Sequence, residues 1–485
     1  MLKEKRERLA ISTDVSKVDR ISVLPKEVLG LILSLLTAKE ATATSILCSS
    51  WRYLWVLTCK TTMDFDGTQS VRKIIRFMEN FGFTDPSVNK ACIEPLEEER
   101  CKFVRWVDHV IVSNQLLDQR SNLEEFKVYF DLNQTHREKI DDWLTYAFSR
   151  KVERLELRLT SLARGIARFY PDSHLCYEFP YKRGNLPNNF EVLKKLCLHL
   201  VSVSGEVVQL FLEKCPLLEQ VSVSGSQALL SLEIVATFPS FKCLEISLCH
   251  YLKSVVLRDS NVVTIKYSGK IIPFVLVNVP LLTKLWIKAL LLGPSRLKDV
   301  VGMFSPVLPQ LEMLKIYPSH IYWEESQEFV SAVEMCNLKQ LVVNIGYYYR
   351  DTDSLLSFVN LINAAPCLER FVVEAVHQDS KKDKSLDGAC ARNYTLRPRV
   401  NVHVKEVEFV GYRGVFNHLE LIMHFVEKDV ALKNIIIDPR SFKYHLHRQW
   451  DRIYRHEVED GVFAMAYAKE QLKEHVPSRI NVKIL

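Results

Sequence analysis

The sequence predicts an α/β protein with three parts: a short all-helical module near the N-terminus, a long run of repeated strands, and a C-terminal α+β segment. Three observations support this prediction. A helix over residues 28–36 is apolar on nearly every side, an apolar triplet recurs through the middle of the chain, and a strand–helix–strand pattern begins near residue 404. The 485 residues allow two to four domains, and the 48% hydrophobic content is typical of folded proteins.

The N-terminal helix has a favourable start and too much apolar surface. Leu24 and Pro25 open it well, because a proline at the first helical position gives up an N–H that would have no partner there. A surface helix normally has one apolar stripe, but seven of the nine residues 28–36 are apolar. Residues 37–40 resemble a capping box that opens a second helix. A third short helix would contain Trp51, Leu54 and Trp55. A module of about 40 residues cannot bury this surface alone, so the excess packs on its own chain or binds a partner.

The spacing of these residues resembles the plant form of the F-box. The match runs from Asp19 to Trp55, over the strings D-R-I-S-x-L-P-x-x-V-L-x-x-I-L-S-x-L, K-E-A-x-x-T-S-x-L and W-R-x-L-W. It departs at residues 48–50, where the family usually has a serine and two basic residues and this chain has Cys-Ser-Ser. The resemblance implies binding to the small adaptor subunit of cullin–RING ubiquitin ligases. The residues that would hold the module together or contact the adaptor are Leu24, Pro25, Val28, Leu29, Ile32, Leu33, Leu47, Trp51 and Leu54. The alternative is a helical cap on the next domain.

Composition argues against several classes of function. The net charge of +6 is small for this length and no long basic run occurs, so nucleic acid is not the expected partner. The twelve cysteines lack zinc-site spacing, which favours reduced thiols in an intracellular protein. Residues 1–17 contain no secretory signal. Residues 271–293 include two prolines and two lysines, so we expect buried strands rather than a membrane span. We predict a soluble protein of the nucleus, the cytoplasm or both.

Apolar triplets recur after the helical module. Each begins with an apolar residue that is followed at +3 and +5 by two more. In five triplets a proline lies two residues before the first residue, which is Leu218, Phe241, Leu282, Leu311 or Leu368. Six others lack the proline and begin at Leu123, Val152, Leu193, Leu252, Val262 and Leu338. Most steps are 23 to 30 residues, which is the range of leucine-rich repeats. Steps of 10 and 11 around Leu252 predict an irregular solenoid. The alternative is a chance run of buried strands in another α/β fold.

The C-terminal segment has a different pattern. A strand is predicted at residues 404–409, a helix with one apolar face over residues 419–426, and a second strand at residues 432–438. The run H-L-E-L-x-x-x-F-V-E-K-x-x-x-L-K-x-I-I-I-D-P is similar to the FBD module that closes many plant F-box/leucine-rich-repeat proteins. A further helix near residues 463–473 and a strand over residues 480–484 would follow. Because a solenoid exposes its last repeat, we expect this segment to act as a cap.

These patterns divide the chain into five predicted segments. They are a disordered leader at 1–18, the F-box at 19–60, a connecting segment at 61–120, the leucine-rich-repeat solenoid at 121–400 and the FBD-like cap at 401–485. Two polar insertions, residues 94–99 with four glutamates and the basic residues 377–399, are interpreted as loops.

No recognised catalytic motif is present. The chain lacks a G-x-S-x-G elbow, an H-E-x-x-H motif, a Walker loop and a Rossmann glycine set. His445 and His447 could bind a metal from one strand face, but no third ligand is near, so a surface pair is the preferred interpretation. We therefore expect no enzymatic activity, no metal and no cofactor.

The two resemblances together predict a substrate receptor of an SCF-type ubiquitin ligase. The F-box would bind a Skp-type adaptor and, through it, a cullin, while the repeats would bind an unidentified target protein. Holding two partners together can accelerate a reaction without a reactive side chain in this chain. Two alternatives remain: an interaction scaffold that joins no ligase, and a small-molecule co-receptor resembling the plant hormone receptors of F-box/leucine-rich-repeat type.

Outward positions of two repeats suggest where the target binds. The residues on either side of the inward ones are Lys284, Trp286 and Lys288 in one repeat and Met313, Lys315 and Tyr317 in a later one. Aromatic residues among lysines form the kind of cluster that binding hot spots favour. The alternative is that Trp286 packs over its neighbours, or lies in the core because the register is off by one residue.

Overall fold

The computed structural model describes twelve ranges of the chain, with gaps of one to three residues inside some of them. They are residues 21–54, 61–77, 86–117, 122–159, 176–289, 295–296, 302–317, 321–322, 335–345, 355–375, 404–439 and 465–485. The described residues do not include the predicted leader, the basic insertion at 377–399, the histidine pair, residues 48–50 or most of the predicted third helix. The chain forms two compact units, residues 1–172 with 187–193 and residues 173–186 with 194–485.

The first unit combines helices with three parallel strands. Its helices are α1 (Lys26–Ser34), α2 (Ala38–Ala43), α3 (Pro86–Leu117) and α4 (Arg137–Ser149). Its strands are β1 (Thr62–Asp66), β2 (Glu125–Phe130) and β3 (Arg154–Leu159). β1 pairs with β2 and β2 with β3, which aligns the buried residues Phe65, Val128 and Leu157. Strand pairing therefore begins upstream of residue 121.

Helix α3 shows that the interpretation of residues 94–99 as a loop is wrong. The segment, Pro95 included, lies inside this 32-residue helix. The buried side of the helix includes Leu96 and Phe103, and Arg100 lies between them. Arg100 is buried because its guanidinium Nη2 lies 2.7 Å from Oδ1 of Asp131. Three of the four glutamates are exposed. The sequence did not show the apolar spacing of a helix here, because a charged residue occupies a buried position and exposed glutamates precede it.

The second unit is dominated by strands. Those of its main sheet are β5 (Lys195–His199), β7 (Gln220–Ser224), β9 (Cys243–Ser247), β11 (Thr264–Gly269), β13 (Lys284–Ala289), β15 (Met313–Tyr317), β17 (Gln340–Ile345), β18 (Arg370–Ala375), β19 (Glu406–Val410), β20 (Asn434–Asp438) and β21 (Asn481–Ile484). Each pairs in parallel with the next in this order. The remaining strands are β4 (Tyr177–Glu178), β6 (Val201–Ser202), β8 (Ser231–Val235), β10 (Ser254–Arg258), β12 (Phe274–Val277), β14 (Ser295–Arg296) and β16 (Ile321–Tyr322). The helices are α5 (Gly205–Lys214), α6 (Ser357–Asn363) and α7 (Phe416–Lys428).

The predicted triplets match the strands. All eleven predicted first residues are buried, and each lies two positions before a strand, as Leu282 lies before β13. The +3 and +5 residues then face the core: Leu285 and Ile287 are buried, whereas Trp286 between them points outward. The prediction of repeated parallel strands is confirmed, and the off-by-one register for Trp286 is excluded.

A second parallel sheet explains the short steps around Leu252. Strand β10, which follows Leu252, pairs with β8 and β12 and belongs to a different sheet from β9 and β11. Phe241, Leu252 and Val262 therefore alternate between two sheets, and β9 and β11 remain neighbours in the main one. Residues 271–293 contain β12 and β13, as predicted. No helix in the described ranges is long and apolar enough to cross a membrane.

The predicted strand–helix–strand near the C-terminus is confirmed, and it continues the main sheet. β19, β20 and β21 extend the parallel register from β18. Gly411 follows β19 with φ +79°, as Gly225 follows β7 with φ +66°. In both turns the glycine N–H donates to the last carbonyl of the next strand, at 2.7 Å from Gly411 to Asp438 and 2.8 Å from Gly225 to Ser247. The same turn thus follows a strand of the repeats and a strand of the C-terminal segment.

Candidate interaction surfaces

Helix α1 has two apolar sides in different environments. Leu29 and Leu33 are buried, with 3% and 0% exposure. Four exposed apolar residues lie on another side at i, i+3, i+4 and i+7, the spacing of one helical face. These four, the α1 stripe, are Val28, Leu31, Ile32 and Leu35. Leu31 and Leu35 are 67% and 82% exposed. The helix therefore offers a continuous apolar surface to solvent.

The nine predicted adaptor-binding residues divide between core and surface. Buried in the chain are Leu29, Leu33, Trp51 and Leu54. Exposed are Leu24, Pro25, Val28, Ile32 and Leu47. The Trp51 indole donates a hydrogen bond from Nε1 to Ser22 Oγ at 2.6 Å. Leu31 and Leu35 are not among the nine predicted adaptor-binding residues, although helical spacing from Val28 places them on the same side.

A second candidate surface lies on the outward side of β11, β13 and β15. In the parallel register Lys266, Trp286 and Lys315 lie side by side on the three strands. The Nζ atoms of Lys266 and Lys315 lie 4.4 and 5.5 Å from the centroid of the Trp286 ring. The ring quadrupole attracts both ammonium groups. Lys315 and Lys288 approach the Tyr317 ring at 5.3 and 5.7 Å. We call Lys266, Lys284, Trp286, Lys288, Lys315 and Tyr317 the cationic cluster.

Carboxylates border the cationic cluster on two sides. Glu245 on β9 has Oε2 3.7 Å from Nζ of Lys266. Glu374 on β18 accepts a hydrogen bond from Lys315 at 2.8 Å and another from Asn344 Nδ2 at 3.0 Å. The outward positions of β11, β13 and β15 carry four lysines and no acidic residue. With the two bordering glutamates, the net charge of this region is +2.

The five predicted target-binding residues differ in accessibility. Lys284 is exposed, and Trp286 and Lys288 are half-buried. Lys315 and Tyr317 are only 9% and 6% exposed. Burial lowers the pKa of the Lys288 amine to about 8, because the ammonium form loses hydration. The structure thus joins all five in one surface but leaves Lys284, Trp286 and Lys288 as its accessible part.

Lys266 and Glu374 were missed in the sequence. Lys266 lies on β11, and the ten-residue step before that strand obscured that it is a neighbour of β13. Glu374 lies 59 residues from Lys315 in the chain. Only the strand order brings these residues together.

Two observations concern the His, Cys, Asp and Glu side chains that the structure describes. In the ranges that the structure describes, no group of three or more His, Cys, Asp or Glu residues could hold a metal ion. Burial raises the pKa of the Cys249 thiol to about 11 and also raises that of Cys243. Both shifts disfavour the reactive thiolate.

Comparisons with known proteins match two regions of the chain. The F-box domain model matches residues 21–61, and the model of the At1g61320/AtMIF1 LRR domain matches residues 185–485. The second match includes the segment predicted as an FBD-like cap.

Curated relatives from Arabidopsis thaliana are similar over much of the chain. The F-box/LRR-repeat protein At3g58940 is 24% identical over 453 residues, 87% of this chain and 65% of the relative. The F-box/FBD/LRR-repeat protein At1g13570 is 27% identical over 220 residues, 42% of this chain and 44% of the relative. The F-box protein At4g27050 is 23% identical over 448 residues, 86% of this chain and 92% of the relative. The chain thus spans less than two thirds of the first two.

The sequence-based resemblance to plant F-box/leucine-rich-repeat/FBD proteins is confirmed by these matches. The repeat model covers more than half of the chain, and the F-box model covers its N-terminal helices. The chain therefore belongs to the At1g61320/AtMIF1-type leucine-rich-repeat family and carries an F-box domain at its N-terminal end.

Proposed function

We propose that the chain is the substrate-recognition subunit of a cullin–RING ubiquitin ligase of the SCF type. The observation that carries the proposal is the α1 stripe, which exposes four large apolar side chains within the F-box match. Covering such a surface gains about 25 cal/mol for each Å² of apolar area removed from water. A Skp-type adaptor would cover the stripe and connect the chain to a cullin.

The predicted adaptor-binding residues would then have two roles. The buried Leu29, Leu33, Trp51 and Leu54 would hold a three-helix F-box together. The exposed Leu24, Pro25, Val28, Ile32 and Leu47 would contact the adaptor with Leu31 and Leu35. Within the first unit, Trp106 Nε1 on α3 donates to Thr42 Oγ1 on α2 at 3.3 Å. This hydrogen bond connects the second helix of the F-box with the long helix.

The test is a pull-down of a plant Skp-type adaptor by the full chain. Val28→Asp with Ile32→Asp places two charges in the stripe, so we expect adaptor retention to fall by at least about tenfold because buried unpaired charges are strongly unfavourable. The melting temperature should stay close to that of wild type, because both residues are exposed.

A matched control is available on helix α3. Val112 and Leu116 are also exposed, also apolar and also four residues apart. Val112→Asp with Leu116→Asp should retain the adaptor. If the stripe variant binds the adaptor as well as this control, the proposed contact surface is wrong. If wild type binds no adaptor of the family, the ligase function is excluded and an interaction scaffold remains.

The repeats would supply the target-binding site, with no catalytic residue in this chain. We assign that role to Lys284, Trp286, Lys288, Lys315 and Tyr317. Support comes from their position on one side of two neighbouring strands, with aromatic rings and ammonium groups in contact. A receptor accelerates ubiquitin transfer by proximity, so the reactive groups would belong to other subunits.

The proposed domain order keeps the predicted boundaries: leader 1–18, F-box 19–60, connection 61–120, repeats 121–400 and FBD-like cap 401–485. Removing residues 404–485 would leave the outer edge of β18 without its partner β19 and would separate Phe371 from Phe425, whose ring centroids lie 5.5 Å apart. We expect an aggregating product, because an open strand edge and apolar surface promote association. A monomeric truncation that melts as wild type would contradict the capping role.

A further inference from the structure

The cationic cluster is a narrow positive strip with negative borders. Neighbouring strands lie about 4.8 Å apart, so β11, β13 and β15 together are about 15 Å wide. Within that width lie Lys266, Lys284, Lys288 and Lys315, and the carboxylates of Glu245 and Glu374 mark its two edges. Any anionic ligand must fit between these borders.

The strip also has an apolar centre. The Trp286 ring lies between Lys266 and Lys315, and its half-buried face offers contact area beside the ammonium groups. Along β13, Lys284 and Lys288 lie on either side of Trp286 at alternate positions. Alternate residues of a strand are about 6.6 Å apart and point to the same side. An extended peptide has the same spacing, so alternate acidic side chains can reach alternate lysines.

We infer that the cationic cluster binds a short, extended peptide segment with clustered anionic side chains in the target protein. This inference depends on the proposed function only for the idea that this side of the repeats binds the target. The anionic groups are carboxylates or phosphates, because both accept charge-assisted hydrogen bonds from lysine ammonium groups.

The borders favour a peptide over a nucleic acid. A phosphate backbone carries negative charge continuously, and beyond the strip it would meet Glu245 on one side and Glu374 on the other. Like charges brought together cost binding energy. A peptide concentrates its charge in a few residues and stays within the strip.

The experiment is fluorescence anisotropy with the full-length chain. The probes are a labelled peptide of alternating glutamate and alanine, the same peptide with phosphoserine for glutamate, the same with glutamine, and a short single-stranded RNA. We expect the glutamate or phosphoserine peptide to bind at least about tenfold more tightly than the glutamine peptide. The better of the two anionic peptides identifies the source of the charge.

Variants locate the binding site. Lys266→Gln with Lys288→Gln should weaken binding of the anionic peptide by at least about tenfold. The control, Lys339→Gln with Lys405→Gln, removes two exposed lysines that form ion pairs with Glu312 and Glu369 and are not members of the cluster, and it should change binding by less than about twofold. Thr264→Glu is a second variant that removes no lysine; it places a carboxylate opposite Lys284 and should also weaken binding.

Three results would overturn the inference. The first is equal binding of the glutamine and anionic peptides, and the second is unchanged binding of the anionic peptide by both the lysine variant and Thr264→Glu. The third is RNA that binds more tightly than every peptide and loses that binding in the lysine variant. Adaptor binding is measured on the same preparations. A variant that loses peptide binding but retains the adaptor is affected at the cationic cluster alone. If wild type binds no adaptor, the ligase function fails, whatever the result with the peptides.

Discussion

Leucines in helix α1 and leucines in the repeat strands have opposite relations to solvent. In the strands the inward apolar residues are buried at every repeat, and the outward positions between them are mostly polar. In α1 the apolar residues occupy a buried side and an exposed side. The strands therefore bury their inward apolar residues within the chain, while one apolar side of α1 stays exposed to solvent. Apolar surface beyond what the fold buries is a physical indication of a partner.

The largest expected effect tests the strand side of this comparison. Leu314 on β15 is fully buried, so Leu314→Ala should lower the free energy of unfolding by about 2–5 kcal/mol, because it removes contacts and leaves a cavity. Urea denaturation followed by circular dichroism measures the change. Leu281→Ala is the control, because Leu281 is exposed and should cost less than about 0.5 kcal/mol. If both variants lost the same free energy of unfolding, burial would not explain the contribution of these leucines to stability.

A smaller effect is expected on the two sides of α1. Leu33→Ala removes a buried side chain and should cost about 2 kcal/mol, near the low end for leucine because a short segment can relax. Leu31→Ala should change stability by less than about 0.5 kcal/mol but weaken adaptor binding. Thermal melts and the adaptor pull-down separate the two outcomes. A destabilised Leu31→Ala variant with normal adaptor binding would reverse our assignment of the faces.

Lys288 should make the outward side of the sheet sensitive to pH. Its pKa is lowered to about 8 by burial, so above pH 8 the folded chain releases this proton before the unfolded chain does. Between pH 8 and the ordinary pKa of a lysine, the unfolded state therefore binds more protons than the folded state. As pH rises through this range, Lys288 makes the free energy of unfolding larger.

Replacing Lys288 with methionine tests that sign. Lys288→Met should be more stable than wild type at pH 7, by about 1–2 kcal/mol, and the difference should shrink as pH rises through 8 to 10. Denaturant unfolding at several pH values measures it. A variant that is less stable than wild type at pH 7 would show that the ammonium group is favourably solvated or paired.

The smallest effect is expected at the edge where the strands begin. Lys339 and Glu312 form an ion pair at 3.0 Å between Nζ and Oε1, but both side chains are about half exposed. Lys339→Ala should therefore cost less than about 1 kcal/mol, and less still at high salt. If Lys339→Ala lowered the free energy of unfolding as much as Leu314→Ala, this ion pair would contribute as much to stability as a buried leucine.

The repeat strands were the easiest part to predict. Burial of the +3 and +5 residues requires a strict two-residue period, and that period is visible in the sequence around residues such as Leu285 and Ile287. Helix α3 was harder. Arg100 occupies a core position only because Asp131, from the segment after β2, pairs with its guanidinium. A partner 31 residues away cannot be read from local periodicity.

The sequence by itself determined the local features: a helix start next to Pro25, which is the N-cap rather than the predicted first helical residue, the strand positions of each repeat, and the strand–helix–strand near the C-terminus. These depend on chain stereochemistry and on patterns within a few residues. Only the tertiary structure decided which side of α1 remains in solvent, that β10 joins a second sheet, and that Lys266 and Lys315 lie on either side of Trp286. Those facts depend on strand order and on packing between residues far apart in the chain, which local patterns do not encode.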